Sequence, residues 1–308
     1  MTGRARPRIA VLPGRRSFLA DAVEAGGGDV VEPEHAEALV WTDPAGSGGL
    51  VRVLDRYPHL RWVQLPWAGV EPHLAVIRAH PERRWTCGKG VYAAPVAEHA
   101  LALALAGLRQ LDRYARRRTW SAPEGTNLAG APVVVVGGGG IAEVLLGLLA
   151  PFDCDITVVR RTPAPMPGAR RVLPPGDLDA ALGGARLVVL ALPLVDATVG
   201  LIDRRRLDLL AEGACLVNVA RGAHVVTDDL VGALRDGHLG SAGLDVTEPE
   251  PLPDGHPLWD MPNVIVTPHT ANTPAMARPL LAARITENVR RWAAGEPLVG
   301  PVDPEAGY

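Results

Sequence analysis

The sequence predicts an α/β protein built on parallel sheets, and three observations carry that prediction. Short apolar runs alternate with helix-like segments along most of the 308 residues, as parallel strands joined by crossover helices demand. From Pro132 onward the runs are nearly continuous in apolar residues, the pattern of strands covered on both faces. The first of these later runs leads into Gly137-Gly138-Gly139-Gly140-Ile141-Ala142, a Gly-x-Gly-x-x-Ala turn that opens a helix.

In the first third, strands are expected at 9–12, 38–42, 62–65 and 84–87, with helices at 17–25 and 49–57. A long Ala- and Leu-rich segment from Val96 to about Tyr114 reads as one buried or interface helix linking two domains. After a polar stretch at 121–130, a second series of strands is expected at 132–136, 156–159, 187–191, 215–219, 242–246 and 264–267. The stretches 143–149, 203–210 and 228–236 between them look helical. A final amphipathic helix over 278–294 is expected to return and pack on the first domain.

Composition narrows the function. A chain with 47% hydrophobic and 21% charged residues is globular, and a net charge of -3 gives no electrostatic footprint for nucleic acid. The runs Arg116-Arg117-Arg118 and Arg204-Arg205-Arg206 read as solvated helix faces. The longest apolar stretches, 100–108 and 187–195, fall well short of the ~20 residues that span a bilayer, so no membrane partner is expected. The basic start leads directly into a strand without a signal-peptide core, which points to a cytoplasmic protein. Cys87, Cys154 and Cys215 are odd in number and set in apolar runs, so they read as buried free thiols. No metal-ligand spacing occurs, and no metal is expected.

The glycine turn points to a dinucleotide, because glycines let the backbone approach a pyrophosphate whose charge the helix N-terminus receives. An acidic residue ordinarily ends the next strand and accepts from the ribose hydroxyls; here Arg160-Arg161-Thr162 stands in its place. Two guanidiniums and a hydroxyl suit a 2'-phosphate, so NADP(H) is favoured over NAD(H). Farther on, Arg221, Glu250 and His269 each stand just beyond a short apolar run, where an open parallel sheet places its working groups. An arginine binds a carboxylate through its planar fork, and a histidine exchanges a proton near neutrality.

Taken together, the glycine turn, Leu190-Ala191-Leu192-Pro193-Leu194 with Thr198, Asn218-Val219-Ala220-Arg221-Gly222, Gly243-Leu244-Asp245-Val246 with Glu250-Pro251, and Pro262-Asn263-Val264 leading to Pro268-His269 resemble the D-isomer-specific 2-hydroxyacid dehydrogenases. The resemblance implies a Rossmann-type doubly wound parallel sheet, residues 98–274, inserted in a smaller flavodoxin-like α/β substrate domain, residues 1–97 and 275–308. It implies Arg221 as the group binding the substrate carboxylate and 2-oxo oxygen, His269 as acid/base and Glu250 as its partner. Trp67-Ala68-Gly69-Val70-Glu71 is similar to the family loop whose N–H groups hold the substrate carboxylate, which assigns Ala68, Gly69 and Val70 to substrate binding. The cofactor falls to Gly137, Gly139, Gly140, Ile141, Arg160, Arg161, Thr162, Leu192, Pro193, Thr198, Val219, Ala220, Asp245 and His269. Asp245 is expected to bond the cofactor carboxamide rather than only cap its strand. A homodimer is implied too.

Two stretches depart from the family pattern: Arg160 replaces the usual aspartate, and Gly88-Lys89-Gly90-Val91-Tyr92 replaces the commoner Asn-x-Pro-Gly. The expected activity is NAD(P)H-dependent reduction of small 2-oxo acids, glyoxylate- or hydroxypyruvate-like, to D-2-hydroxy acids. Glu250 separates this chain from the related formate dehydrogenases, which resemble it but pair the histidine with glutamine. The alternative is a nucleotide-sensing, corepressor-like binding protein of the same fold without significant turnover.

Overall fold

The computed structural model describes residues 5–14, 16–43 and 47–307. It divides into two compact units, one formed by Met1–Tyr92 with Thr273–Tyr308 and the other by Ala93–Asn272. The division falls at the start of the helix Ala93–Leu108, whereas a boundary at 97/98 would cut through it.

In the first unit five parallel strands, β1 (Arg8–Leu12), β2 (Asp29–Val30), β3 (Ala38–Trp41), β4 (Trp62–Gln64) and β5 (Arg84–Thr86), pair in the order β2-β1-β3-β4-β5. This is the flavodoxin order. The two-residue β2 escaped the sequence reading because it is too short to show a period. The C-terminal helix, Pro274–Ala294, does pack here: Leu281, Ile285 and Val289 share a core with Ile9, Leu19, Val23 and Trp62. It begins earlier than the apolar pattern suggested, because Thr273 caps it and Pro274 occupies a first-turn position where no N–H is needed.

The second unit holds seven parallel strands: β6 (Pro132–Val136), β7 (Asp155–Val159), β8 (Arg171–Leu173), β9 (Leu187–Leu190), β10 (Ala214–Asn218), β11 (Leu239–Leu244) and β12 (Val264–Val266). Their order is β12-β11-β10-β9-β6-β7-β8, so the winding reverses between β6 and β9. A doubly wound sheet opens a crevice at such a point, outside the carboxyl ends of its strands. Helices Ala93–Leu108 and Gly140–Leu149 supply Leu103, Ala104, Leu145 and Leu146 to one buried layer. Leu182, Leu207, Leu230 and Leu234 fill another. Each of these buried leucines contributes roughly 1.5–3 kcal/mol.

The single helix expected over 96–114 is two, Ala93–Leu108 and Leu111–Arg116, separated where Gln110 turns left-handed at φ 55°. Both the Gln110 backbone N–H and its side-chain amide donate to Gly107 O, closing off the first helix. Apolar periodicity does not register such a stop. The arginine runs also differ from plain solvated faces. Arg116 donates to the carbonyls of Met261 and Val264, while Arg205 and Arg206 bracket Asp179 and hold its carboxyl down at about 2. All three cysteines are free, Cys87 and Cys215 buried, and burial pushes the Cys215 thiol up to about 12. Among the described residues no helix is long and apolar enough to cross a membrane.

Gly107 is where the helix Ala93–Leu108 meets the sheet, since a Cβ there would lie 2.5 Å from Ser241 Oγ and 2.8 Å from Cys215 Sγ. Gly107→Ala gains ~1 kcal/mol of helix propensity but overpacks a full layer at a cost of about 1–3 kcal/mol. The urea unfolding midpoint of this variant should fall below that of the wild type.

Candidate active site

Three neighbouring strands end together. Asn218 of β10 is in register with Leu244 of β11, and Leu244 with Val266 of β12. Arg221, Asp245 with Glu250, and His269 therefore all emerge from the carboxyl edge of one stretch of sheet. The turns behind them are in backbone contact: a Cβ at Gly222 would overlap the carbonyl oxygen of Thr247.

The buried Asn218 side chain shapes the turn that carries Arg221. Its Oδ1 accepts from Ala220 N at 3.0 Å, and its Nδ2 donates to Arg221 O at 2.9 Å. Val219 and Ala220 are buried beneath this turn, and Arg221 Nη1 donates to Ala220 O at 2.7 Å.

His269 lies across 2.8 Å from Glu250, Nδ1 to Oε1, with the two side chains 54% and 42% exposed. A carboxylate only accepts, so Nδ1 bears the proton of this bond and Nε2 is the nitrogen left to exchange one. The backbone of His269 is left-handed, φ 49°, and its N–H donates to Asp245 O at 2.8 Å. Asp245, only 2% exposed, is the anchor of this loop. Its Oδ1 accepts from Thr267 Oγ1 at 2.6 Å and Thr270 N at 2.9 Å, and its Oδ2 from Ala271 N at 3.1 Å. Both oxygens of Asp245 thus take donors from the His269 loop, as a carboxylate this deeply buried must be hydrogen-bonded.

At the switch point, the turn after β6 is pressed onto the residue after β9. Gly137 has φ 117°, and a Cβ on it would overlap the carbonyl oxygen of Ala191. At Gly138 a Cβ would fall 2.6 Å from Cδ of Arg160, so the arginine side chain lies along the turn. Among the described residues nothing stands within 4 Å of the position a Cβ would take at Gly139, the cap of the helix Gly140–Leu149. Tight turn, open space and first-turn N–H groups together fit a dinucleotide pyrophosphate. Arg161 and Thr162 continue from Arg160 and are exposed.

The profile of the D-isomer specific 2-hydroxyacid dehydrogenase NAD binding domain matches residues 99–271. An uncharacterized protein of Corynebacterium melassecola is 35% identical, over 93% of this chain and 95% of its own. Glyoxylate/hydroxypyruvate reductase A of Serratia proteamaculans (strain 568) is 32% identical, over 88% and 87%. A crystal structure of a D-isomer specific 2-hydroxyacid dehydrogenase from Xanthobacter autotrophicus Py2, in complex with NADPH and MES, superposes with a TM-score of 0.85 at 32% identity, covering 99% of this chain and 100% of the other.

The chain belongs to the D-isomer specific 2-hydroxyacid dehydrogenase family. It is an NAD(P)-dependent oxidoreductase of that family.

Other parts of this dehydrogenase were not visible in its motifs. His224 is fully buried, its ring nitrogens 2.9 Å from Thr198 O and 3.2 Å from Leu192 O. It thus ties the loop of Leu192, Pro193 and Thr198 to the turn of Arg221. The only signal was its place just after Arg221-Gly222. Thr198 itself closes that loop, its Oγ1 accepting from Val195 N at 2.9 Å. In the first unit, Ala68, Gly69 and Val70 form the loop after β4, and the departing stretch from Gly88 to Tyr92 braces it. Gly88 N donates to Trp67 O at 2.8 Å and Tyr92 Oη to Pro66 O at 2.6 Å, while Arg284 donates to the carbonyls of Cys87 and Lys89.

Gly137→Ala has neither the φ nor the space it requires. Fluorescence titration should show NADPH binding weakened at least about tenfold, since one displaced turn forfeits more than ~1.4 kcal/mol of pyrophosphate contacts.

Proposed function

We propose that this dehydrogenase reduces small 2-oxo acids of the glyoxylate or hydroxypyruvate kind to D-2-hydroxy acids, with NADPH preferred over NADH. The observation that carries the reading is the His269–Glu250 pair, Nδ1 to Oε1 at 2.8 Å, at the same sheet edge as the Arg221 turn. The preference for small substrates draws on the likeness to glyoxylate/hydroxypyruvate reductase A. The preference for NADPH draws on Arg160 lying along the glycine turn, with Arg161 and Thr162 beside it, and on the NADPH found with the Xanthobacter relative.

In this reading Gly137, Gly139, Gly140 and Ile141 hold the pyrophosphate, and Arg160, Arg161 and Thr162 the 2'-phosphate. Leu192, Pro193, Thr198, Val219 and Ala220 line the cofactor's path along the carboxyl edge. When bound, the reduced nicotinamide supplies the hydride that reaches the carbonyl carbon. Arg221 binds the substrate carboxylate and draws electron density toward the 2-oxo oxygen. The C=O electron pair moves onto that oxygen, and His269 Nε2 delivers the proton to it. Glu250 aligns the ring by accepting from Nδ1. Ala68, Gly69 and Val70 offer backbone N–H groups to the substrate carboxylate.

The test is turnover of a panel of 2-oxo acids with NADPH and with NADH. Reduction of glyoxylate or hydroxypyruvate with the lower KM for NADPH is expected, and His269→Ala should lower kcat ~10²- to 10⁴-fold while NADPH still binds. Tight cofactor binding without turnover of any 2-oxo acid would replace this reading with a nucleotide sensor. Glu250→Gln replaces the carboxylate facing Nδ1 of His269 with a neutral amide. The kcat for reduction should fall while NADPH still binds, and a wild-type kcat would count against the pair.

A further inference from the structure

We propose that His99 is a positioning residue for the proton transfer, acting through Thr267 and Asp245 on the turn that carries His269. The inference rests on the reading of His269 as the acid. His99 stands in the first half of the helix Ala93–Leu108. Its Nε2 lies 3.0 Å from Thr267 Oγ1 and 3.5 Å from Asp245 Oδ1.

The direction of each hydrogen bond follows from counting protons. The Thr267 hydroxyl has one, and at 2.6 Å from a carboxylate oxygen that can only accept, it donates to Asp245. Toward His99 the same oxygen can therefore only accept, so Nε2 carries a hydrogen. Donation runs one way, from His99 to Thr267 to Asp245. Asp245 in turn receives the N–H groups of Thr270 and Ala271, and its backbone carbonyl receives that of His269.

The chain of bonds ends on a residue that needs holding. At φ 49°, His269 has a backbone conformation that an L side chain keeps only when its surroundings impose it. Asp245 imposes it from the buried side, and the orientation of Asp245 depends on where the Thr267 hydroxyl points. A ring donor fixed on a helix sets that hydroxyl. Loss of the donor frees Thr267 to rotate, loosens the 267–271 loop and takes Nε2 of His269 out of line, while the glycine turn on β6 is untouched.

The experiment compares His99→Phe, which keeps a ring without a donor, His99→Gln, which keeps an N–H donor, and Thr267→Val, which keeps the shape of Thr267 without its hydroxyl. The expected result is a fall in kcat of tenfold or more for Phe and Val, an altered pH profile of kcat, an NADPH Kd within twofold of wild type, and recovery of most activity by Gln. Wild-type kcat and pH profile in His99→Phe overturn the proposal, as do equal losses in Phe and Gln with an unchanged pH profile. Nitrogen-15 spectra of the imidazoles decide the matter even where His99→Phe fails to fold or the wild type turns over no 2-oxo acid. Expected are a protonated Nε2 on His99 in the wild type and displaced His269 ring signals in Thr267→Val. A bare Nε2, or unmoved His269 signals, overturns the link. Failure of wild-type turnover with these spectra as expected would sink the functional reading alone.

Discussion

A buried carboxylate has to find donors, and much of the carboxyl edge of the larger sheet is arranged around the one at Asp245. Left unpaired at 2% exposure, it would cost several kcal/mol; bonded to Thr267, Thr270 and Ala271, it becomes the point from which the loop after β12 hangs. The histidine on that loop stays half-exposed, although its backbone is in a conformation that ordinarily favours glycine. Exposure of the ring and rigidity of its support come from different atoms. Asn218 repeats the device one strand over, with its buried amide fastening the turn of Arg221.

Close approach of backbones is the second constraint. The turn after β6 touches the residue after β9, and the turn after β10 touches the one after β11, at positions where only a hydrogen fits. Such contacts bring three or four strand ends near enough to share one ligand, and they leave no slack, because the opposing atoms are main-chain carbonyls rather than movable side chains. The Gly-x-Gly turn is thus a packing requirement of the switch point as well as an opening toward pyrophosphate. Arg160 beside Gly138 adds a positive charge to the same crevice.

The fold was largely legible. Continuous apolar runs marked β6, β7, β9, β10, β11 and β12, because strands covered on both faces need apolar residues at successive positions. β2 and β8 were not, being short edge strands with polar residues that the pattern does not distinguish from loop. The helix break at Gln110 was missed for a related reason: left-handed backbone at a non-glycine residue leaves no mark in the hydrophobic period. In the site, Arg221, Glu250 and His269 stood out because each stands a little beyond a short apolar run, where an open parallel sheet places its working groups. His99, Asn218 and His224 did not, because each lies inside an apolar stretch or a turn and acts only through partners distant in sequence.

The sequence by itself determined the class of fold, the dinucleotide turn, the family and the residues able to carry charge and protons, because these depend on local composition, period and spacing. Only the tertiary structure decided which side chains meet: that Nδ1 of His269 faces Glu250, that Asp245 turns inward to its loop, and that His99 reaches Thr267 across 168 positions of chain. Hydrogen bonds of this kind depend on sub-ångström distance and on which group holds the proton. Both are set when the strands come into register, and neither is written in any one segment.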